Sequence, residues 1–418
     1  MLTRIQQVNQ STFSDEIRAV LIGVDSGQSN FDESMSELHL LTQAAGSFPI
    51  EQVLTKRAKP DPALFIGSGK VTEIKALMDE KNAEVAIFNH PLSPAQQRNL
   101  ERALGHHVID RTGLILDIFA QRAKSHIGQV QVELANVRYR LSRLVRAWSH
   151  LERQKGGIGL RGGPGETQME LDRRMLENKS KRLQTDLAKL QKQQTNQRRS
   201  RVKREVFSVS LVGYTNAGKS TLFNALTKAG TFAADQLFAT LDTTTRRIYL
   251  PEFGNAVISD TVGFIRELPH QLVEAFQATL DETIHADLLL HVVDAASPVR
   301  DEQIHEVEKV LEEIGAQHIP VILIMNKIDQ LPEYVGRGPE IRYEKDGSVS
   351  KIYLSAQNGA GLPLLREVLT NIAQYTDKIK QDKRNNVDIV KIIGDRPPSS
   401  DNIDGLKNIN LGYIPGDI

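Results

Sequence analysis

Residues 206–230 read VFSVSLVGYTNAGKSTLFNALTKAG, an apolar strand, a glycine-bounded loop and an amphipathic helix in direct succession. This feature constrains the chain more than any other. A GxxxxGKS loop between a strand and a helix points backbone N–H groups and a helix N-terminus at one place, which makes a phosphate cradle and demands an α/β scaffold. Lys219 is then expected to reach the β/γ oxygens of a nucleotide, and the Ser220 hydroxyl to ligate Mg²⁺. Gly213, Tyr214, Thr215, Asn216, Ala217, Gly218, Lys219 and Ser220 are accordingly candidate nucleotide-binding residues.

Downstream segments identify the base. AVISDTVG ends an apolar run on Asp260, Thr261, Val262 and Gly263, placing a carboxylate to hold a magnesium-bound water and a backbone N–H to meet a γ-phosphate. VILIMNKID ends another strand with Asn326, Lys327, Ile328 and Asp329. A carboxylate at Asp329 accepts from both N1–H and the N2 amino group of guanine, and adenine offers no matching pair of donors, so GTP and GDP are the expected ligands. KIYLSA delivers Ser355 and Ala356, followed by Gln357, whose backbone can meet the guanine O6. Between Ser220 and Asp260 lies Phe238-Ala239-Thr240-Leu241-Asp242, expected to sense the γ-phosphate. Thr240 is the best candidate to complete the metal shell as a second ligand with Ser220, and Thr243 to Thr245 are rivals.

The rest of the chain sets this unit in context. Its 418 residues allow two or three domains, and 40% hydrophobic with 25% charged residues is ordinary for a folded globular protein. There is no cysteine, which excludes disulfides, thiolate metal sites and thiol nucleophiles. The polar N-terminus and the lack of an ~18-residue apolar run lead to the expectation of no membrane insertion and a cytoplasmic location. Residues 17–130 alternate strand and helix patterns: IRAVLIGVD, a helix over 33–45, PIEQVLT, ALFIG, a helix over 71–81, EVAIFNH, a helix over 95–104, and HHVID. From Leu114 to His150 apolar residues, among them Leu134, Val137, Leu141, Leu144, Val145 and Trp148, recur at helical spacing, and a second helical stretch spans 168–203.

Charge is segregated along this order. The 52 Lys and Arg balance 52 Asp and Glu overall, yet residues 136–204 carry 19 basic against 6 acidic residues, a net of +13, so the remainder carries −13. A polyanion is the partner such a stretch suggests, with a solvated helix face as the alternative. Between the helices, residues 156–165 hold six glycines beside Lys155 and around Arg161, either a phosphate-gripping loop or a flexible hairpin connection. Phe65-Ile66-Gly67-Ser68-Gly69-Lys70 is a structural turn in preference to a second phosphate site, and the eleven histidines show no metal-binding spacing.

GYTNAGKS, FATLD, DTVGF, NKID and SA, preceded by GGIGLRGGPGETQMELDRR, together resemble the HflX family of ribosome-associated GTPases in the Obg–HflX group, over about residues 15–375. The resemblance implies an α/β chain with a small N-terminal α/β domain (1–130), a basic helical hairpin arm with its glycine-rich loop (131–205), a Ras-like P-loop G domain with a mostly parallel sheet (206–375) and a polar tail (376–418). It implies a GTPase that binds the large ribosomal subunit and ribosomal RNA, acts as a monomer, does not bind DNA, meets membranes only through ribosomes, and splits or rescues stalled ribosomes under stress. The alternatives are a switch that recruits a protein effector and a GTPase assisting RNA modification or remodelling. Many GTPases place a water-orienting glutamine after the DxxG glycine, where this chain has Phe264, so slow, ribosome-stimulated hydrolysis is expected, carried by Lys219 and Gly263. Asn216 resembles the asparagine that holds K⁺ in related GTPases; simple support of the loop is its other reading.

Overall fold

The computed structural model describes residues 17–27, 30–145, 168–202, 206–227, 237–238, 240–266, 280, 282–334, 336–345 and 347–384. Two compact units divide near Leu190. The glycine-rich segment 156–167 with Lys155, Trp148, Ala239 and the C-terminal residues from 385 lie outside the described residues.

In the first unit β1 (Ile17–Asp25), β2 (Ser47–Lys56), β3 (Val85–Phe88) and β4 (His107–Asp110) form a parallel sheet in the order β2-β1-β3-β4. Helices α1 (Phe31–Ala44), α2 (Ser68–Lys81) and α3 (Pro94–Leu104) connect them. β3 is buried throughout, as a parallel strand covered on both faces must be. Ser93 opens α3 with a capping box to Gln96, and Pro94 follows at the first helical position.

Two expectations need correction here. ALFIG is not a sheet strand: the Asp61 carboxylate accepts the Ala63 and Leu64 N–H groups at 2.8 Å, and Asp61 and Phe65 close a tight bridge with Phe65 at φ 63°. The helical run from Leu114 is two helices, α4 (Arg111–Arg122) and α5 (His126–Val145). Ala123 adopts extended backbone, and the Ser125 hydroxyl accepts the Gly128 N–H to start α5 afresh.

Helices α5 and α6 (Gln168–Val202) pack through Val130, Leu134, Val137 and Leu141 against Leu176, Leu183, Leu187 and Leu190. A buried carboxylate fixes the C-terminal end of α5. Asp110, 1% exposed at the end of β4, accepts the Leu92 and Gly113 N–H groups, the Tyr139 hydroxyl and the Arg143 guanidinium. Arg143 in turn lies 4.3 Å over the Tyr139 ring. So many donors on one buried acceptor offset its desolvation and tie the last two turns of α5 to the end of β4.

The second unit contains a seven-stranded sheet in the order β10-β11-β9-β8-β5-β7-β6. Its strands are β5 (Ser208–Val212), β6 (Thr244–Leu250), β7 (Gly254–Asp260), β8 (Leu288–Asp294), β9 (Val321–Asn326), β10 (Glu340–Tyr343) and β11 (Val349–Tyr353). Only the two edge pairs, β10 with β11 and β6 with β7, are antiparallel. Helices α7 (Lys219–Thr227) and α9 (Leu362–Arg384) share a core with the sheet, and α8 (Arg300–Glu313) precedes β9. α9 continues nine residues beyond Tyr375, into the stretch read as a polar tail, because Lys380 pairs with Asp287 at 2.6 Å and Gln381 bonds Asp377 one turn back. Among the described residues no helix is long and apolar enough to cross a membrane.

Candidate nucleotide site

The carboxyl ends of β5, β7, β8, β9 and β11 all deliver residues to one edge of the sheet, where crossovers in an open parallel sheet leave a crevice. The chain turns there because its glycines fit where side chains do not. Gly213 has φ 148° and a Cβ on it would lie 2.2 Å from the Val292 carbonyl oxygen; Gly218 has φ 93° and a Cβ would lie 2.2 Å from Asn326 Nδ2. The cavity so formed is about 570 Å³, lined from the loop by Thr215, Asn216, Gly218, Lys219, Ser220 and Thr221.

At its anionic end the N–H groups of Gly218, Lys219, Ser220 and Thr221 have no acceptor among the described residues, which is the arrangement a phosphate completes. Lys219 is 5% exposed, and its ammonium donates to the Gly213 and Tyr214 carbonyl oxygens at 3.0 and 2.7 Å. Burial pushes it down to about 8, against the opposing pull of Asp260. Beneath the loop, burial and the Lys219 charge together hold His291 on β8 down at about 4, so it is a neutral core side chain.

Ser220 Oγ, Thr240 Oγ1 and Asp260 Oδ2 converge: both hydroxyls donate to the carboxylate, at 2.7 and 2.9 Å, and lie 2.7 Å apart. Thr243 to Thr245 do not line the cavity, although Thr244 opens β6 directly opposite Asp260 in the ladder with β7. Burial raises the Asp260 carboxyl above its ordinary range, and its Oδ1 is buried without a partner. An all-oxygen set with one orphaned carboxylate oxygen fits a hard cation such as Mg²⁺.

The base end is built by Asn326, 2% exposed. Its Nδ2 donates to the Ala217 carbonyl and its Oδ1 accepts the Ala356 N–H, both at 2.9 Å, so it straps the phosphate loop to the loop after β11. Lys327, at φ 65°, reaches Asp294 at 2.7 Å. Asp329 lines the cavity with an exposed carboxylate that has no protein partner among the described residues. The Ser355 N–H is taken by the Ala360 carbonyl, so the donors left on that loop are the Ala356 N–H, shared with Asn326, and the Gln357 N–H.

Phe238, Thr240, Thr261, Gly263, Lys327, Ala356 and Gln357 also line the cavity. Of the other residues expected there, Gly213, Tyr214, Ala217, Leu241, Asp242, Asp260, Val262, Ile328 and Ser355 stand behind the wall, with Leu241, Val262 and Ile328 buried as core side chains. Thr221 and Gln330 line it and were not expected; each directly follows an expected residue in sequence. Asp294 was also passed over, although an acid closing the apolar run LLLHVVD is a visible signal. Phe264 is 1% exposed, its ring in the core and not in the cavity.

Three family models match successive parts of the chain. Residues 32–120 match the family described as GTP-binding GTPase N-terminal, 122–201 the GTP-binding GTPase Middle Region, and 208–327 the 50S ribosome-binding GTPase. GTPase HflX of Escherichia coli is 52% identical over 364 residues, 86% of this chain and 84% of that protein. GTPase HflX of Magnetococcus marinus is 50% identical over 332 residues, 79% of this chain and 76% of that protein. A GTP-binding protein from the archaeon Sulfolobus solfataricus, solved in complex with GDP, aligns over 86% of this chain and 99% of its own at 24% identity, with a TM-score of 0.45.

Proposed function

We propose, for a chain that belongs to the HflX family of GTPases and binds and hydrolyses GTP, that the GTP cycle acts in the cytoplasm on the large ribosomal subunit, where the protein splits or rescues stalled ribosomes. The observation that carries this reading is the basic hairpin of α5 and α6, its α5 tied near the C-terminal end to Asp110, in one chain with a GTPase unit whose family is described as 50S ribosome-binding. A rigid helical arm bearing most of the net +13 of residues 136–204 suits the backbone of ribosomal RNA.

Within the cycle each group has a role. The loop N–H groups and Lys219 hold the phosphates, Ser220 and Thr240 ligate Mg²⁺ with Asp260 behind them, and Asp329 selects guanine. Bound Mg²⁺ supplies neutralisation of the charge that develops between the β- and γ-phosphates. The Gly263 N–H meets the γ-phosphate. Because the Phe264 ring is buried in the core, no side chain at that position orients water, and the large subunit supplies that function. Asn216, exposed at φ 61° in the cavity wall, holds K⁺ beside the phosphates; replacing K⁺ by Na⁺ in a turnover assay should then slow hydrolysis, and equal rates would leave Asn216 a loop support only.

Sedimentation with large subunits and a non-hydrolysable GTP analogue tests the arm. Co-migration should weaken steeply with salt, each neutralised phosphate adding about −0.7 to −0.9 to the log–log slope. Arg173→Glu with Arg174→Glu should weaken binding and flatten that slope while leaving GTP binding intact. Unchanged affinity and slope would make the basic stretch a solvated helix face.

A further inference from the structure

A glycine donor has no conformational preference of its own, so the direction of the Gly263 N–H must be set by what holds its neighbours. On one side Thr261 donates its hydroxyl to the Leu211 carbonyl at 2.5 Å, tying the segment to β5. On the other, Phe264 forms a backbone bridge with the phosphate loop: its N–H donates to the Gly213 carbonyl at 3.1 Å and its carbonyl accepts the Thr215 N–H at 2.7 Å. The last fastening comes from a side chain. The Arg266 N–H donates to the Tyr214 hydroxyl at 2.7 Å. Between these anchors the Gly263 N–H has no acceptor among the described residues, and Gly263 lines the cavity so closely to Lys219 that a Cβ on it would lie 3.0 Å from Nζ.

We propose that Tyr214 is a positioning residue for hydrolysis: its hydroxyl, by holding the Arg266 N–H, keeps the segment after Gly263 clasped to the phosphate loop and so keeps the Gly263 N–H aimed at the γ-phosphate. This rests on the reading that Gly263 meets that phosphate. Tyr214 does not line the cavity and its hydroxyl is engaged by the Arg266 N–H, so it acts through the clasp and not on the nucleotide. Phe264 and Ile265 are buried beside that bridge and the Arg266 guanidinium pairs with Glu302 at 2.8 Å, but the only one of these fastenings that joins the Arg266 backbone to the phosphate loop is the Tyr214 hydroxyl. The hydroxyl adds a second point of attachment to the phosphate loop, at Arg266, three residues after Gly263.

The test is Tyr214→Phe in the full chain, which removes one oxygen and keeps the ring, alongside Gly263→Ala. Affinities for GDP and for a non-hydrolysable GTP analogue are measured with kcat. Tyr214→Phe should lower analogue affinity and kcat about five- to tenfold, the worth of one hydrogen bond, while GDP affinity stays within about twofold. An unchanged GDP affinity also shows that the loop is still folded. Parallel loss of both nucleotides would show a merely structural tyrosine and overturn the proposal, as would no change in either. Gly263→Ala separates the two readings. If it lowers the analogue-to-GDP ratio and Tyr214→Phe does not, the tyrosine proposal fails alone; if Gly263→Ala leaves the ratio unchanged, the γ-phosphate reading of Gly263 fails and takes the proposal with it, whatever Tyr214→Phe does.

Discussion

Lys219→Ala should lower GTP turnover by about a thousandfold, at the upper end of what removing one preorganised donor costs, because in the proposed cycle the ammonium meets the charge that develops on the phosphates. Its present partners are two carbonyl oxygens of the loop itself, so the buried cation is held by dipoles until phosphate arrives. A pH dependence follows. In the nucleotide-free protein the amine is at about 8, below its ordinary 10.5. The unfolded chain therefore binds more protons between those values, so this group destabilises the free protein fully below about 8 and ceases to do so as pH rises toward 10.5. Phosphate beside the ammonium raises it again, so nucleotide binding takes up a proton above about pH 8 and affinity falls as pH climbs through that value. Titration calorimetry in buffers of different ionisation enthalpy reads that uptake directly. Wild-type turnover in Lys219→Ala, or no proton uptake near pH 9, would contradict the placement of this lysine.

Asp329→Asn should weaken GTP binding by about a hundredfold and raise binding of xanthosine triphosphate, since a site built around a donor pair rejects a base that mismatches it. In the proposed site the carboxylate would accept from N1–H and the N2 amino group; the amide turns one acceptor into a donor, which suits the oxygen that xanthine carries in place of the amine. The substitution is clean because Asp329 is exposed in the cavity and bonds no other described residue. Asn326 next to it gives no such clean test, since its amide bonds Ala217 and Ala356 and its loss would unstrap two loops. Competition titrations of GTP against xanthosine triphosphate decide the matter, and unchanged GTP preference would place base selection elsewhere.

The parts of the site that were legible in sequence are those whose chemistry is contiguous and sits at a strand end: GYTNAGKS, DTVG, NKID and SA each name their own residues. What was not legible depends on bonds between distant segments. Asn326 was read with the base, yet it spends both amide groups on partners 109 and 30 residues away. Tyr214 was placed among nucleotide contacts because it lies in the loop, whereas its hydroxyl serves Arg266, 52 residues on. In the fold, apolar periodicity alone made a strand of ALFIG and one helix of 114–150. The turn signals Pro60-Asp61-Pro62 and Ser125 were present, and side-chain bonding to the local backbone overrode the apolar pattern in both places. The alternation of strands and helices survived because burial enforces it over many residues at once.

This chain has Phe264 where a water-orienting side chain would follow Gly263, and in the proposed function the large ribosomal subunit supplies that group. Single-turnover GTP hydrolysis by the purified protein, with and without added large subunits at low salt, tests it most directly. Hydrolysis should be slow in the protein alone and rise at least about tenfold with subunits, equivalent to about 1.4 kcal/mol off the barrier. Equal rates in the two conditions would contradict it.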